Sequence, residues 1–175
     1  MMPIEIFFSY SHKDKPLMDI VRRQLIVFER EGMIVKWYDG EILPGQELEG
    51  KISEHLQHAK IILLFVSSHF IESKYCYNKE MLEALKRHEK GEAKVIPIIL
   101  RPCLWNDAPF GKLLALPEDG KPLTKWRNRD EAASNVAEGI MKVVRELSGA
   151  VKPSSETETW KDAVVKKNEI NSQEK

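Results

Sequence analysis

Glu80 is the acid whose placement most resembles that of a reacting group. On a helix beginning near Tyr75, it shares a face with Cys76 four residues before and Ala84 four residues after. It flanks the apolar stripe Tyr77–Met81–Leu85 and stays off the solvent face of Lys79, Glu83 and Lys86. The helix start is one turn away, so the carboxyl would reach the rim of any crevice there. Partial burial at such a rim tunes a carboxyl group's charge. The plainer alternative, a half-exposed surface glutamate, satisfies the spacing equally well.

Other groups carry weaker chemistry. Gly45 to Lys51 spaces two glycines and a lysine like a phosphate-binding loop, but Ile52 stands where a magnesium-binding Ser or Thr is needed. Glu47 and Glu49 would repel a triphosphate, so the run reads as a loop entering a helix. His55 and His58 are three apart, a spacing compatible with a shared metal, yet no third ligand is evident. Cys76 near a helix start is either an activated thiolate or a buried, inert thiol, and the second is the commoner state. Neither GxGxxG nor GxSxG occurs, so a Rossmann dinucleotide site and a hydrolase elbow lack support.

These side chains need elements to hold them. Ile4–Phe8, Ile34–Trp37, Ile61–Val66 and Val95–Leu100 are short apolar runs that read as strands. Ile61–Val66 is apolar throughout, as in a strand covered on both faces. Pro97 cannot donate to a ladder and marks the fourth run as near an edge or bulge. Leu123–Trp126 is predicted as a short fifth strand.

Helical periods alternate with these strands. One helix is expected from a cap at Asp14, through Leu17, Ile20, Val21, Leu25 and Phe28, to a stop at Gly32. Others follow through Leu48, Ile52, Leu56 and Ala59, through Tyr77, Met81, Leu82 and Leu85, and over Asp130–Leu147. Tyr38–Gln46, Ser67–Ser73 and the proline-punctuated Arg101–Lys121 read as loops. Strand and helix alternating about five times predict an open, mostly parallel sheet with helices on both faces. Ligands then sit outside the strands' carboxyl ends, here Ser9–Asp14, Tyr38–Gln46 and Ser67–Tyr77.

Composition removes other classes. The 175 residues hold 27 basic and 27 acidic side chains, a net charge of zero, which disfavours nucleic acid or anionic membrane as a partner of the whole field. Two cysteines are too few for a disulfide framework or zinc cluster and fit a reducing cytoplasm. The opening MMPIEIFFSYSHKD does not read as a signal peptide, and no apolar run approaches the ~20 residues of a membrane span. A domain over 1–149 is expected, with 150–175 as a polar, disordered tail or linker into further chain.

Several motifs agree on a family. Phe7-Phe8-Ser9-Tyr10-Ser11 with His12-Lys13-Asp14 resembles the first strand and loop of TIR (Toll/interleukin-1 receptor homology) domains. Trp37 to Gly45, reading WYDGEILPG, is similar to the second strand and BB loop. Ile62–Ser68 with His69-Phe70 resembles the third strand and its turn, and Ser73 to Met81, SKYCYNKEM, the helix bearing the family's glutamate. Val95 to Trp105 with Ala108-Pro109-Phe110 resembles the prokaryotic branch, and the match covers residues 4–148 in order.

The resemblance implies a flavodoxin-like α/β three-layer sandwich with a five-stranded parallel sheet. It also implies either of two activities. One is cleavage of NAD⁺ at the nicotinamide–ribose bond, by hydrolysis or cyclisation, gated by self-assembly and used in bacterial anti-phage defence. The other is a non-catalytic module that binds TIR domains of its own or other proteins through the BB loop, whose apolar tip Ile42-Leu43-Pro44 suits docking. For the enzyme, Glu80 would be catalytic, and NAD⁺ would be a substrate with no metal or cofactor. Phe8, Tyr10, Ser11 and His12 would lie beside the substrate, Asp39, Glu41, Ile42 and Leu43 would contribute from the BB loop, and Tyr77 would line the pocket. Cys76 stands where many NAD⁺-cleaving members carry tryptophan, and Ser11-His12 where some carry arginines. A deoxyribosyltransferase-like enzyme shares the sheet and a glutamate but not the BB-loop text. A phospho-acceptor receiver needs an acid after the third strand, which ends Phe65-Val66-Ser67.

Overall fold

Strands form where β-branched and aromatic residues cluster in the computed structural model, which describes residues 2–41, 44–74 and 76–149. Ile42, Leu43, Tyr75 and the run 150–175 lie outside the described residues, as do the side chains of Glu41 and Leu48. The chain divides into two units, Met1–Val144 and Arg145–Lys175. Of the second, residues 145–149 are described: the end of the last helix and Gly149.

Four strands, β1 (Ile4–Ser9), β2 (Ile34–Trp37), β3 (Ile61–Val66) and β4 (Lys94–Ile99), make one parallel sheet in the order β2-β1-β3-β4. Ile4 pairs with Ile34, Ser9 with Leu64, and Val66 with Ile99, so the carboxyl ends of β1 and β3 are aligned. Every residue of β3 is buried. β4 is the end strand of this order, where Pro97's missing N–H is tolerated.

Alternation along each strand divides the core in two. Ile6, Phe8, Leu63, Phe65 and Ile98 pack on α1 (Lys15–Gln24) and α6 (Arg129–Leu147). Phe7, Ile62, Leu64 and Ile99 face α3 (Leu48–His58), α4 (Ser68–Glu72) and α5 (Leu82–Glu89) through Leu56, Phe70 and Ala84. Helices therefore cover both faces of a flavodoxin-like α/β sheet.

Three expectations need correction. The predicted fifth strand is absent: Leu123–Lys125 is a 3₁₀ turn, entered from Pro122 and carrying a fully buried Leu123. What lies beside β4 is a single parallel bridge, in which Ile99 N donates to Leu116 O (2.8 Å) and Leu116 N to Pro97 O (2.9 Å). Pro117 follows at once and has no N–H to extend the ladder. The apolar signal at Leu123 came from a core contact.

The helix expected from Asp14 to Gly32 breaks at the buried Leu25 into α1 and α2 (Ile26–Arg30), and Gly32, at φ +71°, makes the exit turn. Asp14 sits at the N-cap position without capping, because its carboxylate binds elsewhere. The stretch read as a loop after β3 contains α4, capped where Ser67 Oγ accepts from Phe70 N at 3.1 Å and anchored by the buried Phe70.

Candidate active site

The helix carrying Glu80 begins as a π-helical turn over Cys76–Met81 and continues as α5. A π turn inserts a residue into the helical repeat and so re-aims the side chains along it. Cys76, Glu80 and Met81 are all buried here, and Glu80 is only 6% exposed. The surface-glutamate alternative is thereby excluded.

The Glu80 carboxylate accepts a hydrogen bond from the Ser9 hydroxyl. Ser9 is the last residue of β1 and is itself buried. Burial raises the Glu80 pKa from the ordinary 4.5 to about 7; the Ser9 hydrogen bond works against this, and the negative charge of Asp39 adds to it.

A cavity of about 270 Å³ opens above this carboxyl group, lined by Tyr10, Ser11, His12, Asp39, Ile52, Ser73, Cys76 and Glu80. Asp39, in the turn after β2, is held from two sides: Tyr10 Oη donates to its Oδ1 at 2.6 Å, and His12 Nε2 contacts its Oδ2. Burial, then the hydrogen bond to Asp39, pushes the Tyr10 phenol pKa well up, so it remains a donor. Across the cavity, Cys76 Sγ donates to Tyr10 O at 3.3 Å and its N–H donates to Ser73 Oγ at 3.2 Å. Burial and the nearby Glu80 charge push the Cys76 thiol up to about 12. It is therefore the inert thiol and not a nucleophile.

Of the residues singled out in the sequence, Tyr10, Ser11, His12, Asp39, Cys76 and Glu80 come together at this cavity. Phe8 does not. It is buried in the sheet core against Phe65 and Tyr38, on the strand face opposite to that of its neighbours Phe7 and Ser9. Tyr77 packs half-buried on the other core cluster. Ile42, Leu43 and the Glu41 side chain lie outside the described residues.

Sequence reasoning missed Ser9, Ile52 and Ser73. Ser9 had a legible signal, a small polar residue at the carboxyl end of an otherwise apolar strand. Ser73 lay within the strand-end segment Ser67–Tyr77 but nothing distinguished it from its neighbours there, and Ile52 read only as an apolar position of its helix.

The remaining candidates are structural. His55 Nδ1 lies 2.7 Å from Glu5 Oε1 and its ring stacks on Trp37, while His58 Nδ1 meets Glu54 O at 2.7 Å. Among the described residues no group of three His, Cys, Asp or Glu side chains is arranged to hold a metal ion. Beyond Glu80 and Ile52, which line both spaces, a groove of about 390 Å³ runs between α3 and α5 past Lys79, Glu83 and Lys86.

Fold and site together define a flavodoxin-like α/β domain with a cavity at the carboxyl ends of its strands. The model of the TIR domain family matches residues 6–137, and the chain belongs to that family. It is 51% identical over 146 residues to uncharacterized protein y4lF of Sinorhizobium fredii, covering 83% of this chain and 44% of that protein. Toll-like receptor 6 of Mus musculus is 26% identical over 113 residues, covering 63% of this chain and 14% of the receptor. The chain thus spans less than half the length of either relative. Among solved structures, the TIR domain of the Toll-related receptor TRR-2 from Hydra magnipapillata shares the fold at a TM-score of 0.54, with 17% identity, 80% of this chain and 97% of that one covered.

Proposed function

We propose that this TIR domain cleaves NAD⁺ at the bond between nicotinamide and ribose, with Glu80 as the catalytic carboxylate. The observation that carries the reading is a buried glutamate facing a cavity at the strand ends, held by a hydroxyl and flanked by a second carboxylate. Nicotinamide departs with the electron pair of the C1′–N bond, which turns its cationic ring neutral, so departure needs no general acid. The ribose is left as an oxocarbenium ion. Glu80 stabilises that positive charge from a buried position, where a placed charge acts more strongly than in water. Water, or a nucleophile of the substrate itself, then captures C1′; water capture yields ADP-ribose and one proton.

Asp39 is positioned by Tyr10 and His12 to accept hydrogen bonds from ribose hydroxyls. At about 270 Å³ the cavity is smaller than the roughly 300–1,000 Å³ typical of sites that enclose a drug-sized ligand. A nicotinamide–ribose half fits such a space; the rest of a dinucleotide would lie outside it, against a neighbouring copy of the domain. Self-association gating turnover is part of this proposal, as is a cytoplasmic role in bacterial defence. No helix among the described residues is long and apolar enough to cross a membrane.

A second reading, TIR–TIR assembly without turnover, draws on the exposed residues 44–47 beyond β2. Nicotinamide release at high protein concentration separates the two, with Glu80→Ala assayed beside the parent. Release by the parent alone supports the enzyme. No release from a preparation shown to be assembled overturns it in favour of the adaptor.

A further inference from the structure

The Glu80 side chain rises from a π-helical turn, a short and rare departure from the α-helical repeat. Its partner Ser9 stands on the opposite kind of support. β1 is hydrogen-bonded to a strand on each side, Ser9 pairs in register with Leu64 of the fully buried β3, and Ser9 is 1% exposed. A hydroxyl there has one donor to give, and it gives it to Glu80 Oε2. We propose that Ser9 is the positioning residue of the site, its hydroxyl fixing the orientation of the Glu80 carboxylate and favouring its charged form. The role in turnover rests on the NAD⁺ reading; the effect on Glu80 itself does not.

The charges around Glu80 make this contact consequential. Asp39, from the turn after β2, opposes ionisation of Glu80, and so does burial. Tyr10 faces the cavity as a neutral donor, Cys76 as a neutral thiol, and His12 lines it with its ring nitrogen against Asp39. Lys79, on the same helical turn as Glu80, pairs with Glu49 of α3 at 2.5 Å. Glu83 and Lys86 of α5 line the adjoining groove with opposite charges. Among the influences acting on Glu80, the Ser9 hydrogen bond is the one that favours the carboxylate.

The test follows the Glu80 carboxyl carbon by NMR in protein with labelled glutamate, assigned by its loss in Glu80→Gln, across a pH titration of the parent, Ser9→Ala and Ser9→Thr. Losing a hydrogen bond to a charged group is expected to raise the Glu80 midpoint by about one pH unit in Ser9→Ala. Ser9→Thr, which keeps the hydroxyl, brings it back towards the parent. The pH profile of kcat for nicotinamide release moves alkaline by the same amount, with KM little changed, so that the Ser9→Ala rate recovers at high pH. An unmoved midpoint in a folded Ser9→Ala protein overturns the proposal. A uniform loss of rate at every pH, shared by both variants, overturns it too. If the parent releases no nicotinamide, the NAD⁺ reading fails and the midpoint alone decides the role of Ser9.

Discussion

Arg101 Nε donates to Asp14 Oδ1 at 3.0 Å, joining the segment after β4 to the segment after β1. Asp14 is fully buried, and its other oxygen accepts from the Ser67 hydroxyl just beyond β3. One carboxylate therefore ties three strand ends together. The segment it anchors begins with Tyr10, Ser11 and His12, which form one wall of the cavity.

Replacing Arg101 with Ala leaves Asp14 buried with a single hydroxyl as partner. The buried half of such a pair suffers most when its partner is removed, but Arg101's own side chain is 40% exposed and already partly hydrated. The expected loss is about 2 kcal/mol in urea unfolding, with the slope unchanged. A loss of only a few tenths would mean that the contact is solvated away.

Glu80 sets a pH dependence whose sign can be worked out. Its pKa is about 7 in the folded chain against an ordinary 4.5. Between those values the folded protein binds more protons than the unfolded chain, so stability falls as pH rises through this window. The contribution is intact below pH 4.5 and lost above 7. Glu80→Gln removes the titration and is expected to exceed the parent by on the order of 2 kcal/mol at pH 8, while being closer to it at pH 5. Denaturant midpoints of both proteins at the two pH values check this. Equal differences at both would show that Glu80 does not carry the shift. If the carboxylate is the reacting form, kcat/KM for nicotinamide release by the parent rises with pH through about 7.

How much of this was legible in the sequence differed by element. β1 to β4 were readable because each is a short β-branched or aromatic run, and a parallel sheet covered on both faces demands such runs. The breaks were not. Leu25 continues the apolar spacing of Leu17 and Val21 into Phe28, so periodicity ran through the end of α1, and Leu123 looked like a strand because a core-facing 3₁₀ turn is also apolar. At the site, spacing put Glu80 and Cys76 on one face, and both line the cavity. Spacing could not reveal that Glu80 is buried, because burial depends on β1 and on the turn after β2, which are remote in sequence. Asp14 misled for a related reason: an Asp before a helix reads as a cap until long-range partners claim it.

Arg87 ties α5 to the end of α3. Its Nη1 donates to Leu56 O (2.7 Å), a carbonyl in the last turn of α3, and to Ala59 O (2.6 Å) just past the helix, and Nη2 reaches Glu92 O at 3.4 Å. A cation there also complements the helix dipole. The buried side chain joins α5 to α3, the two helices that flank the groove beside Glu80. Arg87→Ala strips three carbonyls of their donors at once, with an expected loss of about 3 kcal/mol in urea unfolding. Arg87→Lys retains the charge but not the planar fork, and its shorter, freely rotating ammonium is not held on the line to the Leu56, Ala59 and Glu92 carbonyls. It is therefore expected to recover less than half of that stability. Full recovery with lysine would show instead that charge at the helix end suffices and that the fork geometry is incidental.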